Sequence, residues 1–145
     1  MTDNAVSMTA GLAYRDPRRA MDWLREAFGF KPTLIVTEPS GAISIIMMEF
    51  AGCRIEIGQA SEGTAQGGVT LHVRGRAPGA IDIHAHCERA RAAGAKILQE
   101  PAQAFWGDFD YAALDIEGYY WRFGQHIEGA GGPPPKGWKI ELDRE

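Results

Sequence analysis

Hydrophobic and polar positions in the first half of the chain follow a strand pattern, then a helix pattern, then strand patterns again. Residues 10 to 15 alternate between larger apolar and small or polar side chains, which predicts a half-buried strand. A helix is predicted to begin with Asp16 as N-cap and Pro17 at the first helical position, and to end at Gly29. Three strands are predicted after it, at 33–38, 42–50 and 54–57. The predicted order is β-α-β-β-β.

The second half of the chain repeats this order. Residues 52–59 read Gly-Cys-Arg-Ile-Glu-Ile-Gly-Gln and residues 118–125 read Gly-Tyr-Tyr-Trp-Arg-Phe-Gly-Gln, so one glycine frame recurs at an offset of 118 − 52 = 66 residues. This recurrence indicates a duplicated module, at about 8–59 and about 68–127. The elements predicted for the second copy are a strand at 69–73, a loop at 74–80, a helix at 83–93, a strand from 97, a long loop at 101–108, and strands at 111–114 and 119–123.

The two modules together predict one domain that spans residues 1–128. Residues 129–137 are rich in glycine and proline, a composition that holds neither a helix nor an inner strand. The remainder of the 129–145 tail contains a short amphipathic stretch from Trp138 to Leu142, which we expect to pack on the domain or on a neighbouring subunit.

Composition excludes several classes of function. The net charge of −4 provides no basic face for nucleic acid, so no nucleic acid partner is expected. The longest apolar run, at 42–50, is far shorter than the ~20 residues of a membrane span, so no membrane partner is expected either. The N-terminus lacks the pattern of a signal peptide, which predicts a cytoplasmic location. Cys53 and Cys87 are interpreted as buried small apolar side chains.

Several short segments, in this order and spacing, resemble one known family. They are Leu12 through Asp16-Pro17 to Phe28-Gly29-Phe30, then Arg89 to Ala95, then Trp106-Gly107-Asp108, then Asp115-x-Glu117-Gly118-x-x-Trp121-x-Phe123-Gly124. Over residues 8 to about 127 the chain resembles the glyoxalase/bleomycin-resistance/extradiol-dioxygenase family, the vicinal oxygen chelate superfamily. The resemblance implies an α+β fold in which two tandem βαβββ modules form curled mixed sheets around a cavity, often in a homodimer.

The resemblance also implies four positions at which the metal-dependent members hold a divalent ion. In this chain they fall on Thr9, Glu56, Gly68 and Arg122, of which only Glu56 has a metal-binding side chain. A divalent metal needs several converging nitrogen or oxygen donors, and Arg122 brings a permanent positive charge instead. We therefore expect no metal cofactor, with a divalent metal at a displaced site as the alternative.

Glu56 and Arg122 are equivalent positions of the duplication, since 122 − 56 = 66. One hypothesis is that they form an ion pair at the floor of the cavity, in place of the metal. The alternative is that both are solvated strand residues that never meet. Because side chains alternate between the two faces of a strand, residues two positions from Glu56 and from Arg122 are predicted to share their cavity-facing side. The predicted ligand-binding residues are Arg54, Glu56, His72, Trp106, Tyr120 and Arg122.

Each further candidate in this set has a structural alternative. His72 is interpreted as a neutral, hydrogen-bonded histidine rather than as a general base or metal ligand. His84 and His86 fall at the start of the second helix, where their side chains diverge by about 200°, so they are not expected to share a metal. His126 is a possible site residue, but it borders the glycine- and proline-rich segment and could simply be exposed to solvent. Trp106 could equally well form a wall of the pocket or belong to the core.

The leading interpretation is a protein that binds or sequesters an organic small molecule, an antibiotic or a toxic metabolite, without a metal. One alternative is a lyase, isomerase or dioxygenase of the same fold with a displaced metal site built on Glu56 with His72 or His126. Another is an interaction module in which the tail around Trp138 carries the contact. The sequence does not decide between a binding protein and an enzyme, because one scaffold serves unrelated reactions.

Overall fold

A computed structural model describes residues 8–60 and 69–138. It contains the predicted β-α-β-β-β order twice. The first module consists of β1 (Ala10–Tyr14), α1 (Pro17–Phe28), β2 (Lys31–Thr37), β3 (Ile43–Phe50) and β4 (Cys53–Gln59). The second consists of β5 (Thr70–Gly75), α2 (Ile83–Ala92), β6 (Lys96–Gln103), β7 (Asp108–Leu114) and β8 (Tyr120–His126).

Each module forms its own four-stranded mixed sheet. Sheet 1 has the strand order β1-β4-β3-β2 and sheet 2 the order β5-β8-β7-β6. In both sheets the first strand pairs in parallel with the last, and the remaining neighbours are antiparallel. The registers agree with the duplication, because Gly11 lies opposite Glu56 in sheet 1 and His72 lies opposite Arg122 in sheet 2. The fold is therefore the tandem βαβββ arrangement predicted from the sequence.

The helices begin where their capping residues predict. The Asp16 carboxylate accepts a hydrogen bond from the Arg19 backbone N–H at 3.1 Å, and the Asp82 carboxylate accepts one from the Ala85 N–H at 3.1 Å. Gly29 ends α1 in the left-handed conformation with φ of 83°, which glycine adopts without strain, and its N–H bonds to the Arg25 carbonyl.

One part of the predicted second module is wrong. Residues 101–108 were expected to form a long loop, but β6 runs on to Gln103 and β7 already begins at Asp108. Pro101 is compatible with this strand because β6 lies at the edge of sheet 2, where a missing N–H costs no ladder bond. The loop is therefore only residues 104–107.

The inner faces of both sheets share one hydrophobic core, with the two helices packed between them and against each other. Phe28 of α1 contacts both Trp121 and Phe123, with ring centroids 5.2 Å and 4.8 Å apart. As predicted from strand alternation, the side chains next to Glu56 and Arg122 point into this core: Ile55, Ile57, Trp121 and Phe123 are all buried. The opposite face of each sheet, here called its outer face, is turned away from the core.

The turn between β7 and β8 joins the modules. The buried Asp115 carboxylate accepts hydrogen bonds from the Tyr14 hydroxyl at 2.7 Å and the Trp121 Nε1 at 2.9 Å. Its other oxygen accepts the backbone N–H groups of Glu117 and Tyr119. Several residues that carry the family resemblance thus hold β1 against the second module.

The two cysteines differ in burial. Cys87 is fully buried, as expected for a small apolar side chain, whereas Cys53 is only half-buried. Within residues 8–60 and 69–138, no helix is long and apolar enough to cross a membrane.

Candidate ligand-binding site

The outer face of sheet 2 carries a fixed arginine. The Arg122 guanidinium lies 3.0 Å from the Asp110 carboxylate and donates to the Gln99 side-chain oxygen at 3.1 Å and to the Tyr120 hydroxyl at 3.0 Å. The Gln99 amide nitrogen donates in turn to Asp110 at 3.0 Å. Burial lowers the pKa of Arg122, but the bonds with Tyr120 and Asp110 more than offset this, so the pKa stays above its ordinary value. The guanidinium is therefore charged and held in one orientation.

A second ion pair lies on the same face. Arg74 donates to both carboxylate oxygens of Asp108, at 2.6 Å and 2.8 Å, in a bidentate arrangement. These bonds hold the pKa of Asp108 below its ordinary value although the side chain is fully buried. His126 lies beside the pair, with Nδ1 3.5 Å from the same carboxylate. Two arginines and two buried aspartates thus cancel in charge across this face.

Gly124 keeps the space between the two ion pairs open. A Cβ placed on Gly124 would lie 3.3 Å from the Asp110 Cβ, 3.5 Å from the His72 Nε2 and 3.6 Å from the Asp108 carboxylate. His72, on the neighbouring strand β5, therefore lies beside the two carboxylates, on the same face as Arg122. Any side chain at position 124 would crowd this group, which accounts for a glycine in the middle of β8.

A cleft of about 410 Å³ opens over Arg122. Its floor is polar, and its wall comes from the 104–107 loop and from the segment that follows β8. Trp106 is 49% exposed, so it is a wall residue of this cleft rather than part of the core. The side chains that give the cleft its character are Gln99, Gln103, Phe105, Trp106, Asp110, Arg122 and Pro135. Its volume falls in the range of small-molecule sites.

The predicted ion pair between Glu56 and Arg122 does not form within the chain. Each residue lies on the outer face of its own sheet, and the neighbours of both point into the shared core, so the core separates the two side chains. The carboxylate that Arg122 contacts is Asp110. The error has a physical reason: the pseudo-symmetry relates the two sheets back to back across the core, so equivalent outward residues diverge instead of converging.

The six predicted ligand-binding residues are consequently divided between two surfaces. His72, Trp106, Tyr120 and Arg122 lie at the outer face of sheet 2. Arg54 is exposed and Glu56 half-buried on the outer face of sheet 1, where Glu56 lines a shallow cleft of about 230 Å³ with Gly11, Ile45 and Gly58. The structure brings together the second-module residues and leaves the first-module residues apart from them.

Sequence reasoning missed Gln99, Asp108 and Asp110. Asp108 and Asp110 alternate along β7 and lie opposite His126 and Gly124 in the register, on the face that also carries Arg122. The alternation Asp108-Phe-Asp110-Tyr was visible in the sequence. It was missed because the strand was predicted to begin at residue 111, which left both aspartates in a loop with no assigned face.

The residues present do not fit the metal site that the resemblance implies. Thr9 is exposed, Gly68 lies outside the described residues, and Glu56 and Arg122 are separated by the core. The displaced site of Glu56 with His72 or His126 is divided in the same way. In the described part of the chain, no group of three or more His, Cys, Asp or Glu side chains converges as a metal would require.

Comparison with known proteins gives consistent matches. A model of the Glyoxalase/Bleomycin resistance protein/Dioxygenase superfamily matches residues 6–123. TioX from Micromonospora sp. ML1 is 31% identical, over 85% of this chain and 100% of TioX, with a TM-score of 0.66. TnmS3, an antibiotic binding protein from Streptomyces sp. CB03234, is 18% identical over 86% of this chain and 100% of its own, with a TM-score of 0.66.

A fosfomycin resistance protein, FosX from Listeria monocytogenes, shares the fold at lower identity. It is 12% identical over 89% of this chain and 98% of its own, with a TM-score of 0.65. Among curated proteins, none matches the chain significantly.

Proposed function

The chain belongs to the glyoxalase/bleomycin resistance protein/dioxygenase superfamily, and we propose that it binds a neutral organic small molecule, such as an antibiotic or a toxic metabolite, without a metal. The ligand lies on the outer face of sheet 2, over Arg122. The observation that carries the proposal is the cleft itself: aromatic side chains form its wall, and a guanidinium locked by three partners forms its floor.

The locked floor favours recognition of a preformed shape. Arg122 is held by Asp110, Gln99 and Tyr120, so little side-chain freedom is lost when a ligand binds. Trp106 offers a large apolar surface with 49% exposure, which a ligand can cover. A wall that binds apolar surface and a floor that fixes orientation are the two requirements of small-molecule recognition.

Charge selects the class of ligand. Asp110 neutralises Arg122, and Asp108 neutralises Arg74, so an anionic ligand meets no excess positive charge. The amide groups of Gln99 and Gln103 at the cleft supply both donors and acceptors. A neutral aromatic compound with amide-like or heteroaromatic groups fits this surface better than a phosphonate or a sulfonate does.

The similar proteins support the proposal at the level of the fold. TnmS3 is an antibiotic binding protein with the same architecture, so the scaffold is compatible with sequestration of an antibiotic. TioX is the more similar in sequence, at 31% identity. Sequestration needs no reacting group beside the ligand, in keeping with a site whose charged side chains all bind one another.

Two fluorescent probes with the same aromatic body test the ligand class. N-phenyl-1-naphthylamine is neutral, and 8-anilinonaphthalene-1-sulfonate adds a sulfonate to the same framework. We expect the neutral probe to bind saturably, with one site per chain and tighter than the sulfonate, in buffer containing EDTA. Trp106→Ala should weaken binding of the neutral probe by about tenfold, because it removes the exposed aromatic wall.

Arg18→Ala is the matched control, since Arg18 is exposed on α1 and does not line the cleft. Its binding curve should coincide with that of the unmodified protein. Equal affinity of the Trp106→Ala variant and the unmodified protein would refute the site. Binding that EDTA abolishes and Mn²⁺ restores would favour the metal-dependent enzyme instead.

Assembly of two copies is part of the proposal. The outer face of sheet 1 is apolar and uncovered in the single chain: Leu34 and Val36 of β2 are 52% and 39% exposed, beside the half-buried Ile45 and Met47. Homodimers are common in the family that the sequence resembles. We propose that a second copy of the chain covers this face.

A further inference from the structure

We propose that the C-terminal arm, defined as residues 129–138, is a specificity-determining wall of the ligand cleft. The inference rests on the proposed function, because it assigns a role at the same site. The sequence gives this segment no regular structure of its own, and three consecutive prolines at 133–135 make it stiff and poor in backbone donors. The structure shows where that stiff segment is attached.

The arm is anchored on the loop that carries Trp106. The Gly132 N–H donates to the Phe105 carbonyl at 2.8 Å, and just before the arm the Ile127 N–H donates to the Gly107 carbonyl at 2.9 Å. Gly131 lies against the same loop, since a Cβ there would be in ordinary contact with the Phe105 carbonyl, at 3.5 Å, and with the Gly107 backbone, at 3.8 Å. Two backbone hydrogen bonds thus hold Phe105 and Gly107 of the 104–107 loop to the chain that follows β8.

Beyond this anchor the arm reaches the mouth of the cleft. Pro135 is one of the residues that line it, across from the floor formed by Gln99 and Arg122. The arm then turns back, with the Trp138 N–H bonded to the Pro135 carbonyl at 3.0 Å. The Trp138 ring meets Phe105 edge to face, with centroids 6.2 Å apart. Pro135 therefore adds to the wall that Phe105 and Trp106 begin, and Trp138 supports that wall through its contact with Phe105.

This geometry limits the size of the ligand. The floor of the cleft is formed by β6, β7 and β8, whose positions are fixed in sheet 2. The width of the cleft therefore depends on the positions of the C-terminal arm and the 104–107 loop. An arm held at Phe105 closes one side of a volume of about 410 Å³. If the arm is released, the cleft opens on that side, loses apolar contacts to a small ligand and admits a larger one. The arm should therefore set selectivity between ligands of different size.

Replacement of a single backbone donor tests this role in the full-length protein. Gly132→Pro removes the N–H that donates to the Phe105 carbonyl. Gly132→Ala keeps that N–H, and nothing lies within 4 Å of the added Cβ, so it is the matched control. The probes are N-phenyl-1-naphthylamine, which is small, and Nile red, which is a larger neutral fused-ring dye. The readout is the ratio of their dissociation constants.

We expect the unmodified protein and Gly132→Ala to prefer the small probe by the same ratio. Gly132→Pro should weaken binding of the small probe by about fivefold and leave Nile red binding unchanged or tighter, so that the ratio falls. Trp138→Ala, which removes the ring contact with Phe105 but no anchor bond, should change the ratio in the same direction. Circular dichroism and a thermal melt verify that each variant is folded.

The two proposals fail in different ways. If the small probe binds and Trp106→Ala weakens it, but Gly132→Pro and Trp138→Ala retain the ratio of the unmodified protein, the role of the arm is refuted and the site stands. If the small probe does not bind saturably, or Trp106→Ala leaves it unaffected, the proposed site itself is refuted. A Gly132→Pro variant that fails to fold leaves Trp138→Ala to decide the question.

Discussion

His84 and His86 lie two residues apart on α2 and have opposite environments. His84 is exposed, whereas His86 is buried between the helices and sheet 2. The His86 Nε2 lies 2.9 Å from the Phe28 carbonyl, which can only accept, so Nε2 carries the proton and Nδ1 accepts from the Tyr111 hydroxyl at 2.6 Å. Burial lowers the pKa of His86, and the nearby Arg89 adds to that effect, although the Phe28 carbonyl opposes it. His86 is therefore a neutral structural histidine, and the opposite environments of the two side chains agree with the divergence predicted from their helical spacing.

This environment predicts that the protein loses stability in mild acid. Below about pH 6.5 His86 is protonated in the unfolded chain but stays neutral in the folded one. The free energy of unfolding therefore decreases by up to about 1.4 kcal/mol for each unit by which the pH is lowered. The stabilisation by neutral His86 is fully present above the pKa of histidine in the unfolded chain. It is lost as the pH falls through the lower pKa of His86 in the folded protein. Urea titrations between about pH 7.5 and pH 5 measure it.

His86→Gln removes the titrating group and should show a flatter pH dependence, although its stability is lower throughout. His84→Gln is the control on the same helix and should follow the unmodified protein, because His84 is exposed. A pH dependence that disappears in His84→Gln and persists in His86→Gln would contradict the assignment.

At the scale of elements, the duplication places two glycines at equivalent points of the last strand of each module. Gly58 in β4 and Gly124 in β8 are 66 residues apart in the sequence. A Cβ on Gly58 would meet only the Ser44 carbonyl, at 3.4 Å, which is an ordinary contact. A Cβ on Gly124 would meet the Asp110 Cβ at 3.3 Å, next to two carboxylates that are fixed in ion pairs. The equivalent glycines thus differ in role: Gly124 leaves space for the side chains of the site, whereas the contacts around Gly58 would accept a methyl group.

The two glycines should therefore respond differently to the same substitution. Gly124→Ala is expected to destabilise the protein by about 1–2 kcal/mol through overpacking, and to weaken binding of N-phenyl-1-naphthylamine by disturbing Asp110 and Arg122. Gly58→Ala should be neutral, or stabilising by about 0.5 kcal/mol, since it reduces the freedom of the unfolded chain. Urea unfolding of both variants provides the comparison, and equal effects at the two positions would argue against a special role for Gly124.

The elements also show how far the sequence could predict the site. Period, capping residues and the glycine frame identified both helices and the order of strands, because these signals are local. Strand alternation placed His72, Tyr120 and Arg122 on one face. Gln99 was not predictable in this way, because it comes from β6, whose pairing with β7 is irregular on both sides of this residue. Asp110 was missed because the strand was predicted to begin only at residue 111. The hypothesis of a Glu56–Arg122 ion pair failed because local sequence patterns do not predict how the two modules are oriented relative to each other.

At the scale of the whole molecule, the shared core uses one face of each sheet and leaves the other two faces outward. The outer face of sheet 2 is covered by its own ion pairs, the 104–107 loop and the C-terminal arm. The outer face of sheet 1 has no comparable cover among the described residues. Its edge strand β2 exposes Leu34, Ile35 and Val36 in succession, an arrangement that carries a risk of uncontrolled association unless a partner covers it.

If a second copy of the chain covers the outer face of sheet 1, charged substitutions on that face should prevent the two copies from associating. We expect the unmodified protein to be a dimer by size-exclusion chromatography with light scattering. The double variant Leu34→Glu/Val36→Glu should be monomeric, because carboxylates on this face cannot be buried unpaired. Lys31→Glu is the matched control: it lies exposed at the start of the same strand and changes the net charge by the same amount. It should remain dimeric, so that repulsion between more acidic subunits is not the explanation. A dimer that survives the double variant would mean that the copies meet through another surface, and an unmodified protein that is monomeric at all concentrations would refute the assembly altogether.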